Sequence, residues 1–234
     1  MWGRGFLCLW AALVVNTAHA QLGSWNVFSV KYGLSPKWSL FGEAQLRSTS
    51  FYNNFHYYEY KGGGTYNLDK NISVSMAGGN YNTYLQGGNF LEPEVNDEFR
   101  FWQQIVINQY LERIKIEHRY RLEQRWTSFG FRERYRFRVN MVMPINKRRM
   151  EVGTWYVGIS NEVFLIDRPG YFERNRFTVN VGRQFTRQLT WYAGYVHQLD
   201  YRTDNETGAR FFQIGVQIDI KRQQSRELVP STQD

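Results

Sequence analysis

The stretch IKIEHRYRLEQRWTSFGFRERYRFRVNM, Ile114 to Met141, carries the reading of the fold. In its first half Ile114, Ile116, His118, Tyr120 and Leu122 alternate with Lys115, Glu117, Arg119, Arg121 and Glu123. In its second half Phe131, Tyr135, Phe137, Val139 and Met141 alternate with Arg132, Arg134, Arg136, Arg138 and Asn140. A change of character at every second residue marks a strand, because successive side chains point to opposite faces. Only Thr127 to Gly130 separates the two runs, so they are expected to pair as an antiparallel hairpin. A turn centred near residue 128 or 129 sets Glu123 opposite Arg134 and Arg121 opposite Arg136.

The same period runs outward from this hairpin in both directions. Trp38, Leu40, Gly42, Ala44 and Leu46 form one such row, and Ile72, Val74 and Met76 another. Phe177, Val179 and Val181 follow, and then Phe212, Ile214, Val216, Ile218 and Ile220. No comparable 3.6-residue pattern occurs, so the chain reads as all-β. Short turns are expected near 35–37, 67–70, 111–113, 146–148 and 186–188, and longer loops near 48–54, 85–97, 165–173 and 200–209, with 127–130 a short exception. Strands after the short turns begin near 38, 71, 114, 151 and 189, a hairpin period. Short turns at one end and long loops at the other suit a bacterial outer-membrane barrel. Trp38, Tyr66, Trp155 and Trp191 flank the short turns, while Tyr52, Phe55, Tyr81, Tyr84, Trp126, Phe131, Tyr171 and Phe172 flank the others, as two interfacial aromatic belts would. The expected fold is an antiparallel up-and-down transmembrane β-barrel of about 10–12 strands. The runs number about eleven with Trp25 to Tyr32 included. An even number is expected, either ten with that segment outside the wall or twelve with one strand unseen, and twelve is preferred. The alternative is a soluble sandwich or lipocalin-like barrel with an aromatic core.

Composition narrows the destination. Met1 to Ala20 has the form of a secretory signal peptide, with Arg4, an apolar Phe6–Val15 core and Ala18-His19-Ala20 before the expected cut. Residues 21–220 would form the barrel and 221–234 a polar tail. The 234-residue chain carries a net charge of +8. Its one cysteine, Cys8, lies in the signal segment, so no disulfide framework is expected. No later apolar run approaches the length of a spanning helix. Aromatic residues at 18% exclude a disordered chain, and export argues against a nucleic-acid partner.

Several segments carry a family resemblance: 38–47, His56-Tyr57-Tyr58-Glu59-Tyr60-Lys61 within 55–63, 96–104, 117–126, the arginine ladder after Phe131, and Asn161-Glu162-Val163-Phe164. Together they resemble a domain-of-unknown-function family of predicted outer-membrane β-barrels from Gram-negative bacteria. The resemblance implies a barrel in the outer membrane and carries no activity.

With apolar rows facing lipid, the polar rows face the lumen. Lys115, Glu117, Arg119, Arg121, Glu123 and Arg125 then stand beside Arg132, Arg134, Arg136 and Arg138, with Glu43, Glu59, Glu162 and Asp219 as candidate counter-charges on other strands. Like charges at this density need carboxylates or water. Two readings follow: a salt-bridge network that fills a small barrel, or an anion-preferring lining, since guanidinium binds carboxylate and phosphate bidentately. His56, His118 and His197 show no metal-ligand spacing, and His56 and His118 sit on apolar rows, where interfacial packing is expected. A barrel lipid hydrolase with His-x-Ser spacing is a distant alternative, since that spacing is absent. Glu92, Glu94, Asp97 and Glu98, and Asp200, Asp204 and Glu206, read as solvated loop tips rather than cation sites. No cofactor or metal is expected. Expected partners are outer-membrane lipid and lipopolysaccharide, the barrel-assembly machinery during biogenesis, and an unidentified protein. The preferred function is a plugged, non-enzymatic structural or accessory barrel, with a narrow anion-preferring pore as the alternative.

Overall fold

The structure is a computed structural model that describes residues 21–202 and 205–220; the expected signal segment and polar tail lie outside the described residues. Eleven strands follow one another: β1 (Leu22–Gly33), β2 (Trp38–Ser50), β3 (Asn53–Asn67), β4 (Ile72–Tyr84), β5 (Glu94–Leu111), β6 (Ile114–Thr127), β7 (Gly130–Pro144), β8 (Trp155–Ile166), β9 (Phe172–Gln184), β10 (Leu189–Arg202) and β11 (Asn205–Ile220). Each pairs with its sequence neighbour, and β1 pairs with β11 to close a barrel. The β6–β7 register sets Glu123 against Arg134 and Arg121 against Arg136. Its turn is fixed locally: Thr127 Oγ1 accepts from the Phe129 amide at 3.0 Å and donates to the Gly130 carbonyl at 2.9 Å, and Gly130 takes a φ of 103° that only glycine adopts cheaply.

Strand number departs from expectation. The wall has eleven strands, neither ten nor twelve, and Trp25 to Tyr32 is part of it. An odd count makes the first and last strands run the same way, so β1 and β11 pair in parallel, from Leu22↔Arg210 to Tyr32↔Ile220. Trp25, Val27, Val196 and Phe211 form a buried apolar cluster across that seam.

Connection lengths also differ. At the upper end, where β1 begins, the links are 51–52, 85–93, 128–129, 167–171 and 203–204. At the lower end, where β11 finishes, they are 34–37, 68–71, 112–113, 145–154 and 185–188. The expected short-turn and long-loop ends are therefore not distinct. Ser48–Asn54 and Asp200–Ala209 are mostly strand, with pairs as far out as Ser50↔Asn53 and Arg202↔Asn205. Beyond an apolar band both faces of a strand meet water, so the alternation fades while the hydrogen-bonded ladder continues.

The wall is inverted relative to a water-soluble barrel. Arg119 is 1% exposed and its neighbour Tyr120 46%. Leu40, Met76, Ile105, Phe137, Val139 and Met141 face outward, while Glu43, Lys61, Arg100, Glu123, Arg136 and Glu162 are buried inside. The lumen is therefore lined mainly by charged and polar side chains, with a smaller set of rings among them.

Candidate functional site: a charged lumen

Every member of the two polar rows on β6 and β7, Lys115 to Arg125 and Arg132 to Arg138, lies on the inner face, and all but Arg132 are fully buried. Facing arginines are separated by carboxylates. Glu123 receives Arg134 and Arg136, each at 2.6 Å, with Arg121 at 3.6 Å. Glu162, from β8, receives Arg119 at 2.6 Å, Arg136 at 2.9 Å and Arg176 of β9 at 3.6 Å. Glu117 holds Arg138 at 2.8 Å and stands 3.8 Å from Lys115. A carboxylate has room for several N–H donors, so one glutamate can serve three arginines.

The other expected counter-charges go elsewhere. Glu43 and Glu59 grip Lys61 at 2.7 and 2.9 Å, and Glu59 also meets Arg47 at 3.3 Å and the Tyr57 hydroxyl. Asp219 sits near the lower end with Lys31 as its pairing neighbour. Glu98, read as a loop carboxylate, is inside: it takes Arg100 at 2.6 Å and also Arg125. Its row, Glu98-Arg100-Trp102-Gln104, alternates as regularly as the others, but aromatic residues on both faces of β5 hide the period. Glu173 bridges Arg125 at 3.3 Å and Arg134 at 3.1 Å, and Asp200 holds Arg174. Among the described residues no group of His, Cys, Asp and Glu forms a metal site.

Large rings share the lumen with these charges. Arg47 lies 3.5 Å from the Trp25 ring and 4.4 Å from Tyr57; Arg176 lies 4.7 Å from Trp25 and 5.0 Å from Phe164; Arg136 lies 4.6 Å from Phe164. This chain of guanidinium and ring faces crosses from β3 to β7 through the seam strand β1. Opposite it Phe41 stacks on Trp102 at 5.7 Å, and Arg121 covers Trp102 at 3.9 Å while bonding Gln104 at 2.7 Å. Such contacts gain strength when desolvated. The rings were missed in the sequence because an inward aromatic and an outward one look alike.

Two cavities flank this layer, about 1370 Å³ at the upper end and about 1100 Å³ at the lower, and they share no lining residue. Phe41, Trp102, Arg119, Arg121 and Glu123 line neither, and a void of about 30 Å³ lies beside Trp25 and Arg138.

On the outer face Trp38 packs on Tyr66 at 4.7 Å near the lower rim, where Trp155 lies under Arg183 and Trp191 is half-buried. Trp126 packs between Phe99 and Phe131 near the upper rim, at 5.8 and 5.4 Å. Tyr81 departs from the expected belt: it is inside, 2% exposed, beneath Arg100 at 3.7 Å. His118 is outward and pairs with Gln109 at 3.2 Å. His56 is not, because the β2–β3 register shift beside Ser48 turns it into the upper cavity.

Residues 22–209 match a family described as Protein of unknown function (DUF2490). No curated protein and no solved structure gives a significant match.

Proposed function

We propose, for a chain that belongs to the DUF2490 family and takes no activity from it, a plugged outer-membrane barrel without catalysis. It acts through its rims, its tail or a protein partner. The observation that carries this reading is the inverted wall: apolar side chains outside and a continuous charge network inside. An apolar exterior is stable in lipid and costly in water. The shortest strands have 12 residues, which at about 3.3 Å per residue and a tilt near 45° gives roughly 28 Å of height, enough for an outer-membrane apolar band of about 25 Å. Outward polar groups pair with one another, as Asn161 does with Asn175 at 3.1 Å and Gln103 with Gln124 at 3.4 Å. Unpaired amides would be costly in hydrocarbon.

The layer of Arg–Glu pairs and rings between the two cavities supports a closed lumen. The second reading, a narrow anion-preferring pore, is favoured by the upper cavity, where nine arginines and Lys61 face four carboxylates. One preparation tests both. Expressed with its leader in a Gram-negative host, the protein should sediment with outer membranes and run as a heat-modifiable band. Recovery in the soluble periplasm would overturn the membrane reading. In planar bilayers the inserted protein should be silent. Discrete anion-preferring steps, weakened by Arg136→Ala with Arg138→Ala, would instead establish the pore.

A further inference from the structure

Within the lumen each facing pair of arginines has a carboxylate set against both members, with one exception. Arg121 and Arg136 share Glu123, while Arg119 has Glu162 and Arg138 has Glu117. The pair nearest the upper mouth, Arg125 and Arg132, breaks the pattern. Glu98 and Glu173 both reach Arg125. Arg132 makes no ion pair or hydrogen bond among the described residues, and its Nε is buried without a partner. Like charges set directly opposite on a ladder repel, and a desolvated N–H donor without an acceptor is costly. Both defects open into the same cavity of about 1370 Å³, which both arginines line.

We propose that this cup binds the phosphate group of a water-borne solute, with the phosphoryl oxygens on the Arg132 guanidinium, in a cavity whose nine arginines and Lys61 outnumber its four carboxylates. A phosphate supplies the acceptor that the buried Arg132 Nε lacks, and its oxygens match the planar guanidinium fork, while the Arg125 nitrogens stay with Glu98 and Glu173. The cavity far exceeds a phosphate ion, and the exposed edges of Tyr84, Phe172 and Tyr201 line it, so the rest of the ligand has ring faces to rest on, as a sugar or nucleoside would. The wall beside the two arginines is paired from β5 to β7 as far as Glu98↔Thr127 and Thr127↔Gly130, and β7 pairs with β8 from Arg134 downward, so entry is through the mouth. The cup is blind because of the plug, so this inference rests on the closed-barrel reading. Conductance tests the plug and titration tests the cup, and either can fail alone.

The experiment is calorimetric titration of the detergent-folded full chain with inorganic pyrophosphate, at low salt and at physiological salt. Saturable binding that survives physiological salt is expected. Arg132→Gln should weaken it about tenfold, the loss of one or two charge-assisted hydrogen bonds. That variant should still run as a folded, heat-modifiable band, because Arg132 holds nothing else in the barrel. Lys37→Gln removes the same charge at the lower end and should leave the affinity unchanged. Absence of saturable binding, equal weakening by both variants, or binding only to vesicles carrying phosphatidic acid would overturn the proposal. The last outcome would place the phosphate on a lipid at the rim.

Discussion

Glu162 accepts guanidinium groups from three other strands: Arg119 of β6, Arg136 of β7 and Arg176 of β9. Its side chain is 3% exposed, so the cost of desolvating these groups has already been incurred by the fold. Buried pairs of this kind add little net stability over a well-packed apolar core, but losing one partner strands the others. Glu162→Gln keeps the shape, removes the charge and leaves Arg119 beside Arg136, Arg121 and Arg138 with less compensation. The expected loss is about 3–5 kcal/mol, read as a lower urea midpoint for the folded band. An unchanged midpoint would mean that water serves these arginines in place of the carboxylate. Arg132 is the contrasting case at the same scale. Its substitution should change ligand affinity without that loss of stability, because it holds no strand to another.

At the scale of elements, the seam between β1 and β11 differs from every other junction in the wall. Ten antiparallel pairings join sequence neighbours, each nucleated by a local connection. The seam instead joins chain ends about two hundred residues apart in parallel, so loop closure must precede any gain from pairing. Side chains reinforce it: Trp25 packs edge-on against Phe211 at 5.6 Å, donates to Gln45 Oε1 at 2.8 Å and lies between Arg47 and Arg176. The parallel register makes a sharp prediction. Ser29 and Gln217 are Cα partners, and both point inward. Ser29→Cys with Gln217→Cys should form a disulfide on mild oxidation, since paired strand positions fall within disulfide reach. The Ser29→Cys, Ile220→Cys pair, three residues out of register, should not. Cross-linking in the reverse pattern would reject the parallel closure.

For the whole molecule the question is whether the lumen conducts. Small barrels of this strand number have interiors that side chains can fill, and here the filling is charged rather than apolar. Phe41, Trp102 and the Arg121 guanidinium stacked on it occupy the level between the cavities. Phe41→Ala with Trp102→Ala removes two rings without touching an ion pair. The double variant should therefore give discrete conductance in planar bilayers where the unmodified barrel is silent. Continued silence from folded, inserted double variant would mean that the Arg–Glu layer closes the lumen without the rings.

The strands, their two faces and one hairpin register were legible in the order of residues alone. Alternation at period 2 is a local property, and a turn as short as 128–129 leaves β6 and β7 no other pairing in which both apolar rows share a face. Which face of β6 and β7 is inside was not fixed by the alternation, which has two equivalent senses; the charged face is the buried one in the structure. Strand ends were illegible for a physical reason: past the apolar band both faces are wetted, and Ser48–Asn54 and Asp200–Ala209 look like loops although most of their described residues are paired. The inward ring layer was hidden as well, since Phe164 stands between Val163 and Leu165 and Trp102 directly follows Phe101, so an inward ring looks like its outward neighbour. Closure, parity and the partners of each charge emerged from the folded barrel. Whether Glu98 meets Arg125, 27 positions away, or Trp25 meets Phe211 depends on where the curved sheet brings its strands together, and nothing local encodes that distance. The uncompensated charge of Arg132 is of the same kind: an arginine row is visible in the chain, but which of its members lacks a carboxylate is settled across the lumen.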